Sequence, residues 1–385
     1  MKRIYRSLFA MMLIAVLAMG CSQKKKAIMN VPPAETMGAA PNPVTIVYLK
    51  GTYHEMGVQY GKQAAGAIND LVSKLDSVTA AMGIPQKKIM QAYAAMEPFI
   101  PQKYKDEMAG LAEGSGIPLE KIHMLHAIPD LSEYHCTFFV AWDKATKDHD
   151  LYQIRALDYA MNAHFQDHPA LIVYKPDSAN AFVNVGWLGF IGVVSGMNAD
   201  QIAVSEIGEN FGPDHETLQG EPMPFVLRDV LEKAGTVEQG IDIIKNAKRT
   251  SSYLFAIGSG KQKYGRALKT AKDIFQVYDD TSLPKPVPHL KDIVYFSMGC
   301  DWERTTPDKY TVKTYDFLKA HWGQIDENVA KDLMHTVGTG DLHAVVYKPS
   351  TLDLWVANAG IDRTPAYNRD YVHLNLNDAL AKFGK

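Results

Sequence analysis

The sequence has 385 residues, a formal net charge of −3 at pH 7 and a pI near 6.5. Hydrophobic residues make up 46% of the chain and charged residues 22%, a composition typical of a globular protein with a sizeable core. This charge balance argues against the basic surface that neutralises nucleic-acid phosphates. The chain has no P-loop, HExxH or CxxC motif, so nothing in it indicates a metal ion or an organic cofactor.

Residues 1–21 have the features of an export signal. Three basic residues, Lys2, Arg3 and Arg6, precede an apolar run, Leu8 to Met19, that is short for a membrane-spanning helix. The run leads into small residues before Cys21, which resembles a bacterial lipoprotein signal in which the cysteine carries the lipid. We therefore expect an exported protein that is lipid-anchored to the cell envelope, at the outer membrane or the periplasmic face in a Gram-negative host. The alternative is a buried N-terminal helix.

Residues 22–43 are rich in lysine and proline and lack periodicity, which predicts a flexible tether. A short β-type run at 45–49 follows, and apolar residues then recur at helical spacing. Helices are predicted at 53–82, 85–96 and 103–113, with a further short helix from about Pro118. Residues 44–135 are therefore interpreted as a helical N-terminal segment.

The pattern changes sharply at Cys136, where β-type sequence begins. Strands are predicted at 137–142, 151–157, 170–174, 181–185, 201–207, 253–258, 275–278, 293–297, 343–347 and 352–357. Helices are predicted at 222–234, 236–248, 311–321 and 326–336. Runs of strands separated from runs of helices predict an α+β layered fold, with residues 136–385 as its catalytic segment.

Cys136 is the candidate nucleophile because it lies at this junction, and the chain has no GxSxG elbow. The strand starting at Cys136 and the strand ending near Arg155 and Asp158 are predicted to form a hairpin. Such a hairpin brings its far ends together, so a guanidinium and a carboxylate would lie beside the thiol. A nearby arginine favours the thiolate form. The alternative is a structural disulfide between Cys136 and Cys300 in an oxidising compartment.

Five segments together resemble the acyl-coenzyme A:6-aminopenicillanate acyltransferase family, a cysteine branch of the N-terminal-nucleophile hydrolases related to choloylglycine hydrolase and penicillin V acylase. The likeness runs from Val44 to about Asn375. The segments are Gly51 to Gly61, Cys136-Thr137, Arg155 to Tyr159, Gly192 to Val204, and Leu342 to Val345.

The resemblance implies a four-layer αββα sandwich preceded by a helical pro-segment. It also implies that the chain cleaves itself between His135 and Cys136, after which the new α-amino group acts as the base for the thiol. Arg155 and Asp158 would orient this amino group and the substrate. Asn210 resembles an oxyanion-site asparagine of the related bile-salt hydrolases.

The chain departs from the family pattern at two points. His135 stands where cleavage commonly follows glycine, and the strand near 251–255 lacks the usual asparagine. An oxyanion or substrate contact would then come from Tyr253, Asn198, Asn210 or the backbone, and Arg304 is a candidate for binding a substrate carboxylate.

These observations predict an exported hydrolase of acyl amides. Hydrolysis is favoured over acyl transfer because a surface lipoprotein has little access to acyl-coenzyme A. Two alternatives keep the same fold: a non-catalytic lipoprotein that binds a lipid or peptide, and a lipid ester hydrolase. The expected partners are a small acyl-amide substrate and, through the lipid, a membrane.

Overall fold

The computed structural model describes residues 31–39, 43–81, 83–131, 136–297 and 306–384. The strands are β1 (Glu35–Met37), β2 (Val44–Gly51), β3 (Phe138–Ala141), β4 (Tyr152–Leu157), β5 (Pro169–Pro176), β6 (Phe182–Trp187), β7 (Ser195–Asn198), β8 (Ile202–Gly208), β9 (Tyr253–Ser259), β10 (Tyr264–Thr270), β11 (Phe275–Tyr278), β12 (Ile293–Phe296), β13 (His343–Lys348), β14 (Asp353–Asn358) and β15 (Val372–Asn375). The α-helices are α1 (Tyr53–Ser73), α2 (Leu75–Ala81), α3 (Gln86–Met96), α4 (Gln102–Ser115), α5 (Leu119–Ala127), α6 (Met223–Lys233), α7 (Val237–Asn246), α8 (Lys309–Ala320), α9 (Glu327–Val337) and α10 (Leu376–Ala381).

The described strands form two sheets. One has nine strands in the order β1-β2-β5-β6-β7-β8-β9-β10-β11, and the other has six in the order β12-β3-β4-β13-β14-β15. Strand β2 runs parallel to β5, and the other pairings between these strands are antiparallel. The residues before Cys136 thus contribute two strands to the larger sheet, β1 from the predicted tether and β2 from the N-terminal segment, as well as helices.

The sheets pack face to face, with helices on both outer faces. Strands β3 and β4 of the smaller sheet contact β8, β9 and β10 of the larger one. Helices α6 and α7 contact the larger sheet, and α9 contacts β4 and β13 of the smaller sheet. The buried core lies mainly between the sheets and includes Phe138, Ile154 and Ile257. This is the predicted α+β arrangement of four layers, and the prediction is confirmed.

Glycines allow α1 and α4 to touch along their backbones. A Cβ atom on Gly57 would lie 2.1 Å from the carbonyl oxygen of Glu107, and one on Gly110 would lie 2.2 Å from that of His54. Gly61 and Gly114 repeat this close approach one turn further along. The glycine spacing of the Gly51 to Gly61 segment therefore has a packing cause, because larger side chains would force the helices apart.

Four short or atypical elements differ from the sequence-based predictions. The predicted tether contains strand β1, which pairs with β2 through its main chain and is held by Glu35 contacts to Tyr48 and Lys382. Strand β10 was not predicted because it carries charged residues and a glycine, although its buried positions nearly alternate. Strands β7 and β15 have only four residues each, too few for a clear period of two.

No helix among the described residues is long and apolar enough to span a membrane. The proposed signal, residues 1–21, and most of the tether lie outside these residues. The division at residue 135 and the role of 44–135 as a pro-segment stay predictions.

Candidate active site

Cys136 lies immediately before β3, at the edge of the contact between the two sheets. Its neighbour Thr137 exchanges two backbone hydrogen bonds with Ala156 of β4, at 3.0 and 2.9 Å. This pairing brings the Cys136 side chain to the end of β4, where its Sγ lies 4.0 Å from the backbone oxygen of Asp158. Cys136 is only 1% exposed. The hairpin that was expected to join Cys136 with Arg155 and Asp158 is therefore present.

Arg155 of β4 is fully buried between the two sheets. Its Nη1 donates to the Ala156 oxygen at 2.6 Å, and its Nη2 forms an ion pair with Glu206 of β8. Burial would lower the pKa of Arg155, but its interactions with Cys136 and Glu206 outweigh this effect and raise it. The guanidinium is thus a permanent cation between the thiol and a buried carboxylate. The ion-pair partner of Arg155 is therefore Glu206 of the larger sheet.

The thiol of Cys136 is neutral in this uncut chain. Burial raises its pKa to about 12, although the Arg155 guanidinium opposes the shift. Arg155 favours the thiolate, as expected, but the desolvation of a fully buried anion exceeds this attraction, and Glu206 and Asp158 also raise the pKa of the thiol. A base is required to take the thiol proton at neutral pH.

Asp158 is held by the loop that follows α9. Its Oδ1 accepts hydrogen bonds from the backbone N–H groups of Gly340 and Asp341 at 2.8 and 2.9 Å, and its Oδ2 accepts one from the Thr339 hydroxyl at 2.8 Å. Gly340 adopts a φ of 84°, which favours glycine and turns its N–H toward the carboxylate. Burial raises the pKa of Asp158, and these three donors oppose the shift. Asp158 therefore has a fixed orientation in a mostly buried position.

An apolar cavity opens beside Cys136 and holds about 520 Å³ of atom-free space. Its ionisable lining groups, apart from two tyrosines, are Cys136 and Glu206. Both parts of the chain supply its walls, with Leu125, Ile128 and Pro129 from the N-terminal segment and Leu157, Trp187 and Met223 from the rest. Such a site excludes water from one side of the thiol and accommodates a hydrophobic group.

Among the residues considered for substrate contacts, Tyr253 lines this cavity. Its hydroxyl donates to the Pro129 oxygen at 3.0 Å, so it also ties the end of the N-terminal segment to β9. Tyr253 is thus brought to the same site as Cys136, Arg155 and Asp158.

The two asparagines lie away from the cavity lining. Asn198 is buried and donates to the Leu231 and Ala234 oxygens at 2.9 and 2.8 Å, while its own oxygen accepts from Ile202 N at 2.9 Å. Both of its N–H donors and its side-chain oxygen are thus bonded to backbone groups. Asn210 is exposed, and its side-chain oxygen accepts from Gly212 N at 2.9 Å. Both residues act here as turn residues.

Four other candidates, Cys21, His135, Cys300 and Arg304, lie outside the described residues, so lipidation, cleavage, the disulfide and the carboxylate contact stay predictions. Among the described residues, no group of three or more His, Cys, Asp or Glu side chains is arranged to hold a metal ion.

Sequence reasoning missed Glu206 and the loop at 338–341. A charged residue within the otherwise apolar strand Ile202–Gly208 was a signal for Glu206. The alternation of Gly338, Thr339 and Gly340 just before a strand was a signal for the loop.

The fold and the site define a class of protein. Two stacked sheets between helical layers, with a cysteine at the start of a central strand, are the architecture of the N-terminal-nucleophile hydrolases. The family model described as AAT, acyl-coenzyme A:6-aminopenicillanic acid acyl-transferase, matches residues 145–280. This range includes Arg155, Asp158 and Tyr253 and begins after Cys136. The resemblance to this family is confirmed.

Individual relatives are distant. Protein dcd1B of Dictyostelium discoideum is 26% identical over 390 residues, covering 89% of this chain and 76% of the relative. Acid ceramidase of Heterocephalus glaber is 22% identical over 255 residues, covering 59% of this chain and 62% of that protein. A solved structure of the Caenorhabditis elegans N-acylethanolamine-hydrolyzing acid amidase ortholog aligns with a TM-score of 0.46 at 17% identity, covering 62% of this chain and 100% of that one. The family match and the sequence relatives point to amidohydrolases and acyltransferases of the N-terminal-nucleophile type.

Proposed function

We propose that this protein is an amidohydrolase that cleaves its own chain before Cys136 and then uses Cys136 to hydrolyse an amide with an apolar acyl group. One observation carries the proposal: a buried cysteine at the start of a strand faces an apolar cavity beside Arg155 and Asp158. Its thiol is protonated in the uncut chain, so the site lacks the base that cleavage would create.

Self-cleavage begins with attack of the Cys136 sulfur on the carbonyl carbon of residue 135. The thiol proton passes to the Cys136 nitrogen as the C–N bond breaks, and a thioester links the two parts. Water then hydrolyses this thioester, leaving a carboxylate on His135, an α-amino group on Cys136 and the restored thiol.

The new α-amino group supplies the missing base. Its usual pKa, about 7.7 to 8.0, allows it to accept the thiol proton near neutral pH. The sulfur attacks the substrate carbonyl, the proton is passed to the departing amine, and an acyl-cysteine thioester remains. Water, activated by the same amino group, releases the carboxylic acid. Arg155 stabilises the thiolate during the attack, and Asp158 orients the amino group.

The cavity supports a hydrophobic acyl group as the part of the substrate that enters. Its lining is mostly apolar and includes Leu125, Phe165 and Val194, as is typical of small-molecule sites. The name of the relative acid ceramidase designates hydrolysis of ceramide, an amide with an apolar acyl chain. Tyr159 and Tyr253 place phenol groups in the lining of the same cavity.

We also propose that the protein is exported and anchored through lipid on Cys21. The support is the sequence alone: a basic start, an apolar run and a cysteine after small residues. Replacing Cys21 with serine is expected to move the protein from the membrane fraction to the soluble fraction. Retention of Cys21→Ser in the membrane fraction would contradict the anchor.

The proposed cleavage is tested by intact mass under denaturing and reducing conditions. Wild-type residues 22–385 should yield two chains, 22–135 and 136–385, whereas Cys136→Ala should remain one chain. Cys300→Ala is the matched control, because it removes the other cysteine of this span and should still be cut. Amide substrates and their ester counterparts with the same acyl group are then compared, which separates an amidase from an esterase. A single uncut wild-type chain without hydrolytic activity would contradict the proposal and favour a binding protein.

A further inference from the structure

Four buried hydroxyl groups form a line that ends at Asp158. Thr314 on α8 donates to Ser297 at 3.1 Å, Ser297 lies 2.9 Å from Thr137, Thr137 lies 2.9 Å from Thr339, and Thr339 lies 2.8 Å from the Asp158 carboxylate. All four hydroxyl residues are at most 1% exposed. We call this line, Thr314, Ser297, Thr137 and Thr339, the hydroxyl chain.

Thr339 is the donor in both of its side-chain contacts. It has a single hydroxyl proton but two acceptor oxygen atoms within range, one on Thr137 and one on Asp158. A carboxylate is a stronger acceptor than a hydroxyl group, so the proton is directed mainly to Asp158, with Thr137 as its second acceptor. Thr314 donates to Ser297, and either hydroxyl can donate in the contact between Ser297 and Thr137. The Thr339 hydroxyl thus donates to the Asp158 carboxylate, which favours its ionised form.

The hydroxyl chain also holds Thr137, the residue next to Cys136, in place. Cleavage before Cys136 would make this residue a chain end, and chain ends fray unless they are tied down. Thr137 is tied by two backbone hydrogen bonds to Ala156 and by side-chain hydrogen bonds to Ser297 and Thr339. Its side chain is therefore within two hydrogen bonds of the Asp158 carboxylate.

We propose that Thr339 is a positioning residue for the reaction of Cys136: through the hydroxyl chain it keeps Asp158 ionised and fixes the new chain end against it. This inference rests on the proposed function, because it concerns the α-amino group that cleavage creates. Thr339 touches neither the cavity nor the thiol and acts through Asp158 and Thr137.

Thr339→Val tests the inference, since valine keeps the shape of threonine and removes only the hydroxyl. Loss of one hydrogen bond to an ionised group is expected to lower kcat by about tenfold to a hundredfold, with little change in KM. Because the ionised form of Asp158 loses a donor, its pKa rises, and the acid limb of the kcat profile moves to higher pH. Thr339→Ser, which keeps the hydroxyl, should stay close to wild type.

Thr314→Val is the matched control, because it removes the hydroxyl at the far end of the same chain. It should lower kcat by about threefold or less and leave the acid limb in place, since the Thr339 donor to Asp158 remains. Unfolding midpoints of all variants are measured in parallel. If Thr339→Val does not fold, Thr339→Ala replaces it, because it removes the same hydroxyl group.

Provided that the wild-type protein is cut and active, two results would overturn the inference. One is a wild-type kcat and pH profile in Thr339→Val, and the other is an equal loss of kcat in Thr339→Val and Thr339→Ser. An uncut and inactive wild type would overturn the proposed function and this inference together. The two failures are therefore distinguishable in one set of measurements.

Discussion

Arg228 offers the sharpest test of how the N-terminal segment is held to the rest of the molecule. This fully buried residue of α6 donates to Glu107 of α4 at 2.6 Å, to Glu232 at 2.9 Å and to the Ile191 oxygen at 2.9 Å. Both carboxylates are fully buried as well. The guanidinium also lies over the Tyr104 ring, 4.8 Å from its centre. Arg228 therefore joins α4 of the N-terminal segment to the layer that covers the larger sheet.

Arg228→Met keeps much of the side-chain volume and leaves Glu107 buried without its cation, whereas Glu232 keeps its ion pair with Lys103. Breaking a buried ion pair by removing one partner costs about 3 to 5 kcal/mol, because the remaining charge is uncompensated. We expect the free energy of unfolding in urea to fall by this amount at pH 7.5, measured on a Cys136→Ala background so that every chain stays intact.

The pH dependence provides a second measure. Burial raises the pKa of Glu107 even with Arg228 present, so its folded-state pKa lies above its unfolded value. A carboxyl of this kind gains folded-state stability as pH falls toward the unfolded value, near 4.3, because the folded state binds the proton more tightly. Without Arg228 the pKa rises further, and the destabilisation should therefore shrink between pH 7.5 and pH 5.

Lys233→Met is the matched control on the same helix. Lys233 pairs with Asp229, but its side chain is 52% exposed, and such a pair contributes about 1 kcal/mol or less. Equal losses in the two variants, or a loss below about 1 kcal/mol in Arg228→Met, would refute the reasoning.

Three further outcomes are expected. Gly57→Ala should destabilise the fold by at least about 1 to 3 kcal/mol, because its Cβ would lie 2.1 Å from the Glu107 oxygen. Gly66→Ala on the same helix meets nothing within 4 Å and should stabilise the fold by about 0.5 to 1 kcal/mol. Urea unfolding of both variants tests the difference. Burial raises the pKa of Asp130 from 3.8 to about 6, so its negative charge opposes folding above pH 6. Asp130→Asn should therefore stabilise the protein by up to about 3 kcal/mol at pH 7.5 but not below pH 4. Thermal unfolding at both pH values tests this prediction. Val194→Phe, which narrows the cavity beside Cys136, should raise KM for long acyl chains more than for short ones, and an equal effect on both would contradict the cavity as the acyl site.

The parts of the site that follow from local sequence were predictable. Cys136, Arg155 and Asp158 belong to one hairpin, and the rule that a hairpin joins its far ends was sufficient to bring them together. Segments with strong periodicity were predicted near their observed positions: the helix predicted at 53–82 is observed as two consecutive helices, Tyr53–Ser73 and Leu75–Ala81, and the first begins with a capping box at Thr52 and Glu55.

The parts that depend on distant contacts were not predictable. Glu206 meets Arg155 across the gap between two sheets, and the Thr339 loop reaches Asp158 from about 180 positions further along the chain. The high pKa of the Cys136 thiol was not predictable for a related reason, since the burial of Cys136 follows from the packing of the sheets. Strand β1 depends on the open edge of β2, which no pattern in residues 35–37 records.

The position of strand β2 affects how the cleaved protein would refold. It is hydrogen-bonded along β5 from Thr45 to Gly51, inside the larger sheet rather than at a hinge. If the chain is severed before Cys136, the sheet is shared by two molecules, and complete unfolding separates them. Refolding then becomes a second-order process whose yield depends on protein concentration. An intact precursor refolds as a single chain at any dilution, whereas the two severed chains must first find each other. Cleavage would therefore create the catalytic site and at the same time make unfolding less reversible at low protein concentration.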